Sequence, residues 1–303
     1  MGLPQEFVDL AREVSNWGRW GDDDELGTLN LITHDVVKRA ADCVRTGKTF
    51  ALGLPLSADG PQTGAVPGRT NPEHRMSFVN FPYGESGVAA SDDSVSMGLQ
   101  AGTHWDALTH ISFDGHIYNG YEASVITESG AAKCGIEKVR KLVSRGVLID
   151  VARDKGIDRL EPGYTITPDD LDSASKTDVL PGDVVLIRTG QMQLLDAGDK
   201  EAYGMPSPGP GMACARWFNA HDVAAVATDT YAFEVLPGEI KGLFLPVHVL
   251  DLVQMGMLQG QNFVLEELAR DCAEDSVYEF LLEATPEPFV GAVGAPVQPV
   301  AIK

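Results

Sequence analysis

The chain has 303 residues, 44% of them hydrophobic and 22% charged, proportions that favour a globular protein with a substantial core and disfavour disorder. Its 44 acidic and 23 basic residues give a formal net charge of −21. A surface this acidic repels phosphate backbones and anionic lipids, so it argues against nucleic-acid binding and against attachment to a membrane surface.

Helical and strand patterns alternate along the chain. A helix is predicted at 33–47, with Thr33 as its cap, and the Gly- and Pro-rich stretch 57–93 is predicted to form long surface loops and short hairpins. Because no repeat or composition break is visible, the sequence predicts a single α/β domain, residues 1–303. Further helices are predicted at 136–143, from 167 onward, at 211–220 and at 262–275, and strands at 146–151, 182–188, 223–228 and in short C-terminal segments.

The cysteines and the N-terminal segment bear on the cellular compartment. The four cysteines are far apart and form no Cys-x-x-Cys pair, which disfavours a zinc ribbon and a disulfide scaffold. Residues 1–14 carry no apolar stretch of the signal-peptide kind, and no window reaches the roughly 18 uninterrupted apolar residues of a membrane helix. We therefore expect a cytoplasmic protein without membrane spans.

Three of the seven histidines fall between positions 104 and 116. If residues 104–106 are extended, His104 and Asp106 project from the same face, because side chains alternate along a strand. An imidazole beside a carboxylate is a two-ligand start for a divalent cation, and a turn of helix would bring His110 back toward it. Taken singly, each histidine fits a surface or core position better, so spacing alone suggests a site without establishing it.

Residues 102–110, Gly-Thr-His-Trp-Asp-Ala-Leu-Thr-His, resemble the His-x-Gly-Thr-His-x-Asp-x-Pro-x-His signature of the cyclase-like metal-dependent hydrolases. That family includes bacterial kynurenine formamidase and isatin hydrolase. The resemblance implies the family's mixed swivelling β/β/α fold in one domain, and assembly as a homo-oligomer, either a dimer or a tetramer. The resemblance extends from about Trp17 to Ala301. Segments 17–21 and 24–30 are typical of the longer-chain branch. The other matching segments are 118–120, Asp229-Thr230 with Glu234, His248, Gly256-Met257 and Gly260-Gln261.

The resemblance also implies roles at the motif. His104 and Asp106 match metal ligands, and His110 matches the catalytic histidine. His248 matches a histidine that binds a second zinc ion in the dinuclear formamidases. We assign His248, together with Gln100 and Thr103, as further metal ligands or as residues that hold the ligands in place.

Two glutamines depart from the family pattern. Gln100 stands where the motif has its first histidine, and Gln261 stands where the formamidases use a glutamate. Neutral amides hold a second dication poorly, because negative ligand charge offsets the repulsion between two metal ions. We therefore expect one divalent ion per chain, Mn²⁺ or Zn²⁺, bound by His104, Asp106 and Gln261 with water. The isatin hydrolase branch resembles this arrangement and uses manganese.

The family implies hydrolysis of a C–N or C–O bond in a cyclic or N-acyl small molecule, such as an amide, imide or lactone. A bound dication lowers the pKa of its water and polarises the carbonyl, and His110 would accept the proton and return it to the leaving group. Four side chains are assigned to substrate binding, with core or surface-loop positions as the alternative. They are Trp17, Trp20, Trp105 and His74.

Two other functions are compatible with these residues. The metal ion could stabilise an enolate in a lyase or cyclase reaction, and only hydrolysis would place solvent oxygen in the product. A metal-binding scaffold without catalysis is the second alternative, suggested by the two glutamines. The presence of His110 argues against a scaffold, since a purely structural site needs no histidine beyond its ligands.

Overall fold

Strands from the whole length of the chain assemble into a nine-stranded mixed sheet and three two-stranded pairs, in a computed structural model that describes residues 3–303. The strands are β1 (Thr49–Ala51), β2 (Glu73–Pro82), β3 (Ala89–Ser96), β4 (His104–Asp106), β5 (Ile126–Thr127), β6 (Gly130–Ala131), β7 (Val143–Asp150), β8 (Thr165–Ile166), β9 (Val184–Arg188), β10 (Gly209–Pro210), β11 (Ala225–Thr228), β12 (Leu258–Gln261), β13 (Glu279–Glu283), β14 (Gly294–Pro296) and β15 (Val300–Ile302).

The large sheet is parallel at its centre and antiparallel toward both edges. Its strand order is β1-β15-β13-β7-β9-β11-β12-β4-β14. β7, β9, β11 and β12 run parallel to their neighbours in that series, whereas β4 is antiparallel to both β12 and β14. Parallel strands covered on both faces carry apolar runs, and such runs predicted β7, β9 and β11.

Helices cover the sheet. They are α1 (Gln5–Glu13), α2 (His34–Ala41), α3 (Val151–Asp154), α4 (Pro168–Ala174), α5 (Met192–Asp196), α6 (Lys200–Gly204), α7 (Ala213–Ala220), α8 (Pro246–His248) and α9 (Glu266–Asp275), and a π-helical segment, Val249–Met255, continues α8. No helix within residues 3–303 combines the length and the apolar character that a membrane crossing requires.

Alternation along the central strands separates two apolar cores. Leu148 and Leu186 belong to the core that includes α9, and their chain neighbours Val147 and Val185 belong to the core that includes α1, α4 and α7. Trp105 of β4 lies in the first core. Its neighbours in β4 therefore face the side of the sheet that carries α1, α4 and α7, because successive side chains point to opposite faces.

Several predicted helix boundaries hold and others do not. Thr33 caps α2 by accepting a hydrogen bond from the Val36 amide, and Thr167 caps α4 within a capping box. The prediction that the first of these helices reaches position 47 is wrong, since it ends at Ala41. The helix predicted at 262–275 begins only at Glu266, because the preceding residues are bound to the sheet through Phe263 and its neighbours.

The helix predicted at 136–143 is wrong. One 3₁₀ turn, Ile136–Lys138, is present, and Val143 already begins β7. Ile136, Val139 and Leu142 are all buried. Their three-residue spacing fits a helix, but here it belongs to a turn that leads into a strand. The loop-rich stretch 57–93 also contains more regular structure than predicted, since β2 and β3 form one long hairpin.

The N-terminal segment is held by hydrogen bonds to residues 118, 119 and 253. The Trp17 indole nitrogen donates to the Val253 carbonyl over 2.6 Å, and the Gly18 amide donates to the Asn119 side chain over 2.8 Å. The Tyr118 hydroxyl donates to the Asp24 carboxylate over 3.0 Å. Three stretches that resemble the family in sequence are therefore held together in space.

Candidate metal centre

The register of β4 against β12 places the polar side chains of both strands together. Gln261 lies opposite His104, and Gln259 lies opposite Asp106. Strand alternation then puts all four on one face of the sheet and leaves Trp105 on the other. Residues 104–106 are therefore extended, as the prediction that His104 and Asp106 share one face requires.

His104 presents an imidazole nitrogen toward Asp106. Its Nδ1 lies 2.8 Å from the Gly102 carbonyl, an acceptor, so Nδ1 carries the proton and Nε2 keeps a free lone pair. Nε2 is 3.5 Å from Asp106 Oδ1, and both residues are fully buried. Neither of these two atoms has a hydrogen-bond partner. Buried polar atoms without partners are costly, and a cation between them would satisfy both.

His110 reaches the same carboxylate by a tight turn. Its backbone amide donates to the Ala107 carbonyl, so the chain reverses direction without forming a helix. His110 Nε2 is 3.7 Å from Asp106 Oδ1. Burial lowers the pKa of His110, and the Asp106 carboxylate only partly offsets this effect. The imidazole is therefore neutral at neutral pH and able to accept a proton.

His248 lies near the other oxygen of the Asp106 carboxylate and is fixed by Glu234. Its Nδ1 donates to Glu234 Oε1 over 2.6 Å, and the backbone amides of Val247 and His248 donate to the same carboxylate. Nε2 then faces the site, 3.9 Å from Asp106 Oδ2. A carboxylate that holds the far nitrogen of an imidazole is the usual way in which proteins orient a histidine toward a metal ion.

Gln261 and Gln100 complete the polar surroundings. The Gln261 amide nitrogen donates to Asp106 Oδ2 over 2.6 Å and lies 3.4 Å from His248 Nε2. Rotation of this amide by half a turn would present its oxygen to the same point. The Gln100 amide nitrogen is buried without a partner. It lies so close to Gly294 that a side chain at that position would clash with it.

The charge state of Asp106 suits a cation. Burial acts to raise the pKa of this carboxyl, but interactions with His110 and His104 outweigh it and hold the pKa well below its usual range. The carboxylate is therefore ionised although it is fully buried. A buried anion of this kind requires a positive partner.

The donor set fits one divalent cation with few protein ligands. Within residues 3–303, no three histidine, cysteine, aspartate or glutamate side chains form a metal cluster by themselves. His104 Nε2 and Asp106 Oδ1 face each other without hydrogen-bond partners in that range, and Gln261 donates to the other oxygen of Asp106. Such a site fits a cation whose remaining positions are filled by an amide oxygen and water.

Thr103 fixes the position of β4, the strand that carries His104 and Asp106. Its hydroxyl donates to the Asn262 carbonyl over 2.6 Å and accepts from the Leu54 amide over 2.8 Å. The hydroxyl therefore links the start of β4 to the end of β12. This placement agrees with a residue that holds the ligands in place.

A cavity of about 620 Å³ opens onto this centre. His110, His248 and Gln261 line it, together with apolar side chains such as Val66 and Leu236. Volumes in this range accommodate small-molecule ligands.

None of the four side chains assigned to substrate binding lines this cavity. Trp105 is fully buried on the opposite face of β4, where it packs on Phe263 and donates to the Ala284 carbonyl. The assignment of Trp105 to an aromatic substrate wall is therefore wrong. Trp17 lies beside His116, Trp20 stacks under Arg19, and His74 pairs with Asp93 on the exposed β2–β3 hairpin.

Sequence reasoning missed the residues that form the cavity walls. Arg69, Tyr231 and Phe244 all line the cavity, and none stands near the motif in sequence. Glu234 resembles a family residue, but its bond to His248 joins positions 14 residues apart. No local pattern signals such a pair, because the turn at 235–245 has to fold before the two meet.

Comparisons with known proteins agree with this architecture. The family model described as "Putative cyclase" matches residues 8–235. A crystal structure described as a novel cyclase is 39% identical, with a TM-score of 0.88, and the match covers 96% of this chain and 100% of that one. Isatin hydrolase A from Ralstonia solanacearum is 18% identical, with a TM-score of 0.61 and coverage of 84% and 92%. A search of curated proteins finds no match.

A more distant structure, described as a potential metal-dependent hydrolase with cyclase activity, is 18% identical. Its TM-score is 0.53, and the match covers 84% of this chain and 98% of that one. At such identities, this structure and isatin hydrolase A share the fold with the present chain.

Proposed function

The chain belongs to the cyclase family of enzymes, and from that premise we propose that it is a metal-dependent hydrolase of a cyclic or N-acyl small molecule. One observation carries the proposal. His104 Nε2 and Asp106 Oδ1 are buried, face each other over 3.5 Å and lack hydrogen-bond partners, beside a cavity that His110 lines. The hydrolase names of the more distant neighbours of like fold also support it.

His104, Asp106 and Gln261 would hold the metal ion. When bound, a divalent cation polarises a carbonyl oxygen and lowers the pKa of water. The two neutral amides, Gln100 and Gln261, favour one ion per chain, and a donor set with one imidazole and several oxygens suits Mn²⁺ or Zn²⁺. Glu234 keeps His248 turned toward this centre, with its Nε2 3.9 Å from the Asp106 carboxylate.

His110 would move the proton. Hydrolysis adds the OH of water to the carbonyl carbon and a proton to the departing nitrogen or oxygen, with cleavage of the C–N or C–O bond. His110 is neutral, borders the cavity and lies 3.7 Å from Asp106, so it can accept the proton of the attacking water and pass it to the leaving group. No serine or cysteine nucleophile is needed for this reaction.

A lyase or cyclase reaction is the second candidate. It is favoured by the descriptions of the 39% identical structure as a novel cyclase and of a distant neighbour as having cyclase activity. The same centre would then stabilise an enolate, and His110 would remove a proton from carbon.

Isotopic labelling separates the two reactions. The full chain, supplied with Mn²⁺ or Zn²⁺, is incubated with a panel of amides, imides and lactones in ¹⁸O-labelled water, and the products are analysed by mass spectrometry. We expect the label to enter the product carboxylate. We also expect His110→Ala to reduce the rate by about 10²–10⁴-fold while metal binding persists.

The matched control is His74→Ala, which removes a histidine outside the cavity and should leave the rate unchanged. A product that forms without label would overturn hydrolysis in favour of the lyase or cyclase. An unchanged rate in His110→Ala would remove this residue from the chemistry.

A further inference from the structure

Two cationic side chains, Arg69 and Lys200, line the cavity beside the metal centre. Lys200 is already paired, since its Nζ lies 2.5 Å from Asp59 Oδ1. Arg69 has no carboxylate within ion-pair distance anywhere in residues 3–303. Its positive charge acts on both His110 and Tyr231, two residues of the cavity wall. Arg69 therefore supplies a cation without an ion-pair partner among these residues, in the same cavity as His110.

The loop that carries Arg69 is held in place by hydrogen bonds. The Asn71 side chain donates to the Gly60 and Gln62 carbonyls and accepts from the Gln62 amide. Gln62 in turn donates to the Ala101 carbonyl, and its side-chain oxygen accepts the Tyr231 hydroxyl over 2.7 Å. The loop is thereby joined both to the approach to β4 and to the far wall of the cavity. Arg69 is consequently presented by an ordered loop.

The rest of the cavity wall is largely apolar. Val66, Met205, Leu236 and Phe244 line it, and the Phe244 side chain is 76% exposed. Two acidic residues also line the cavity. The Asp199 carboxylate accepts the Ala202 amide at the start of α6, and the Glu201 side chain is exposed to solvent. The cavity therefore combines an apolar surface with two acidic residues and with one guanidinium, Arg69, that is in no ion pair within the described part of the chain.

We propose that Arg69 binds a carboxylate of the substrate, so that the substrate class is an apolar cyclic or N-acyl compound that carries a free carboxylate. This inference rests on the proposed hydrolase function. A guanidinium pairs with a carboxylate through two parallel N–H···O bonds, which fixes orientation as well as affinity. The chain has a net charge of −21, which repels anions, so an anionic ligand needs a local cation at its binding site.

The test compares two probes of the same shape, the anion phenylacetate and the neutral amide phenylacetamide. Their binding to the full chain is measured by calorimetry, without turnover, after chelator treatment and a check of metal content, because carboxylates also bind metal ions. We expect the wild type to prefer phenylacetate by about tenfold or more, as for hydrogen bonds to charged groups. Arg69→Gln should abolish the preference by weakening phenylacetate alone, and Arg69→Lys should retain part of it.

Lys200→Gln is the matched control, since it removes a cavity cation that is already paired, and it should keep the preference. Thermal unfolding of each variant verifies that it is folded. A wild type without any preference, or a preference that survives Arg69→Gln, would overturn the proposal. Because no turnover or metal enters this measurement, its failure leaves the hydrolase proposal standing. A failed labelling experiment would likewise leave the binding result intact.

Discussion

Two histidine–aspartate pairs, one across the β2–β3 hairpin and one within β4, lie in opposite surroundings. On the β2–β3 hairpin, His74 and Asp93 pair over 2.8 Å, and their side chains are 58% and 61% exposed. On β4, next to β12, His104 and Asp106 face each other over 3.5 Å with no exposure at all. Water screens the first pair, so it contributes little. The second pair is buried, so a cation bound there is screened less by solvent than one bound at the surface.

The largest effect should come from the buried carboxylate. Asp106→Asn removes the anion that would hold the cation, so we expect kcat/KM to fall by about 10³-fold or more, with loss of the metal ion. Rates on any substrate found in the panel and elemental analysis measure both. Asp93→Asn, the same change on the hairpin, should alter neither quantity. Equal effects of Asp106→Asn and Asp93→Asn would contradict the different roles given to the buried and the exposed pair.

The next largest effect concerns the other face of β4. Trp105 is fully buried against Phe263, so Trp105→Ala should lower the free energy of unfolding by about 3–5 kcal/mol, measured by denaturant titration. Phe81→Ala on the hairpin, where the side chain is 54% exposed, should change it by less than about 0.5 kcal/mol. A loss below about 1 kcal/mol for Trp105→Ala would contradict its core position.

A smaller effect is expected in β12. A Cβ at Gly260 would stand 2.6 Å from the Ala227 Cβ and 2.7 Å from a Phe263 ring atom. Gly260→Ala should therefore lower the free energy of unfolding by about 1–3 kcal/mol through overpacking. The control is Gly204→Ala, where a Cβ would contact nothing within 4 Å. Equal stability of the two variants in the same titration would argue against close packing behind the site.

The smallest effect should come from the exposed pair itself. His74→Ala should change the free energy of unfolding by less than about 1 kcal/mol, and by less still at high salt, because the pair is exposed and screened. Denaturant titrations at low and high ionic strength measure this. A larger loss that salt does not reduce would show that the hairpin packs against something that protects it from water.

Much of the fold follows from local patterns. The central strands β7, β9 and β11 and the cap of α4 come directly from apolar runs and a Thr-Pro start, and the predicted family and its α/β fold are confirmed. The same alternation that pairs His104 with Asp106 also turns Trp105 away, so its exclusion from the cavity was already implied by the sequence. The homo-oligomer and the cytoplasmic location stay predictions.

The cavity could not be predicted in the same way. Its walls come from segments around Arg69, Lys200, Tyr231 and Phe244, which are far apart in sequence. Their positions depend on long-range hydrogen bonds such as Tyr231 to Gln62, across 169 positions. The helix predicted at 136–143 is wrong for a related reason. Its apolar residues are buried by strands that are distant in sequence, and the local spacing does not show this.

The most direct test of the proposed metal centre is the metal content per chain of the protein purified without chelator, by elemental analysis. The proposal predicts about one Mn²⁺ or Zn²⁺ per chain, lost in His104→Ala and in Gln261→Ala and retained in His74→Ala. Two ions per chain would contradict the mononuclear site. No metal even after reconstitution, or metal retained in His104→Ala, would contradict the assignment of this buried pair as the metal centre.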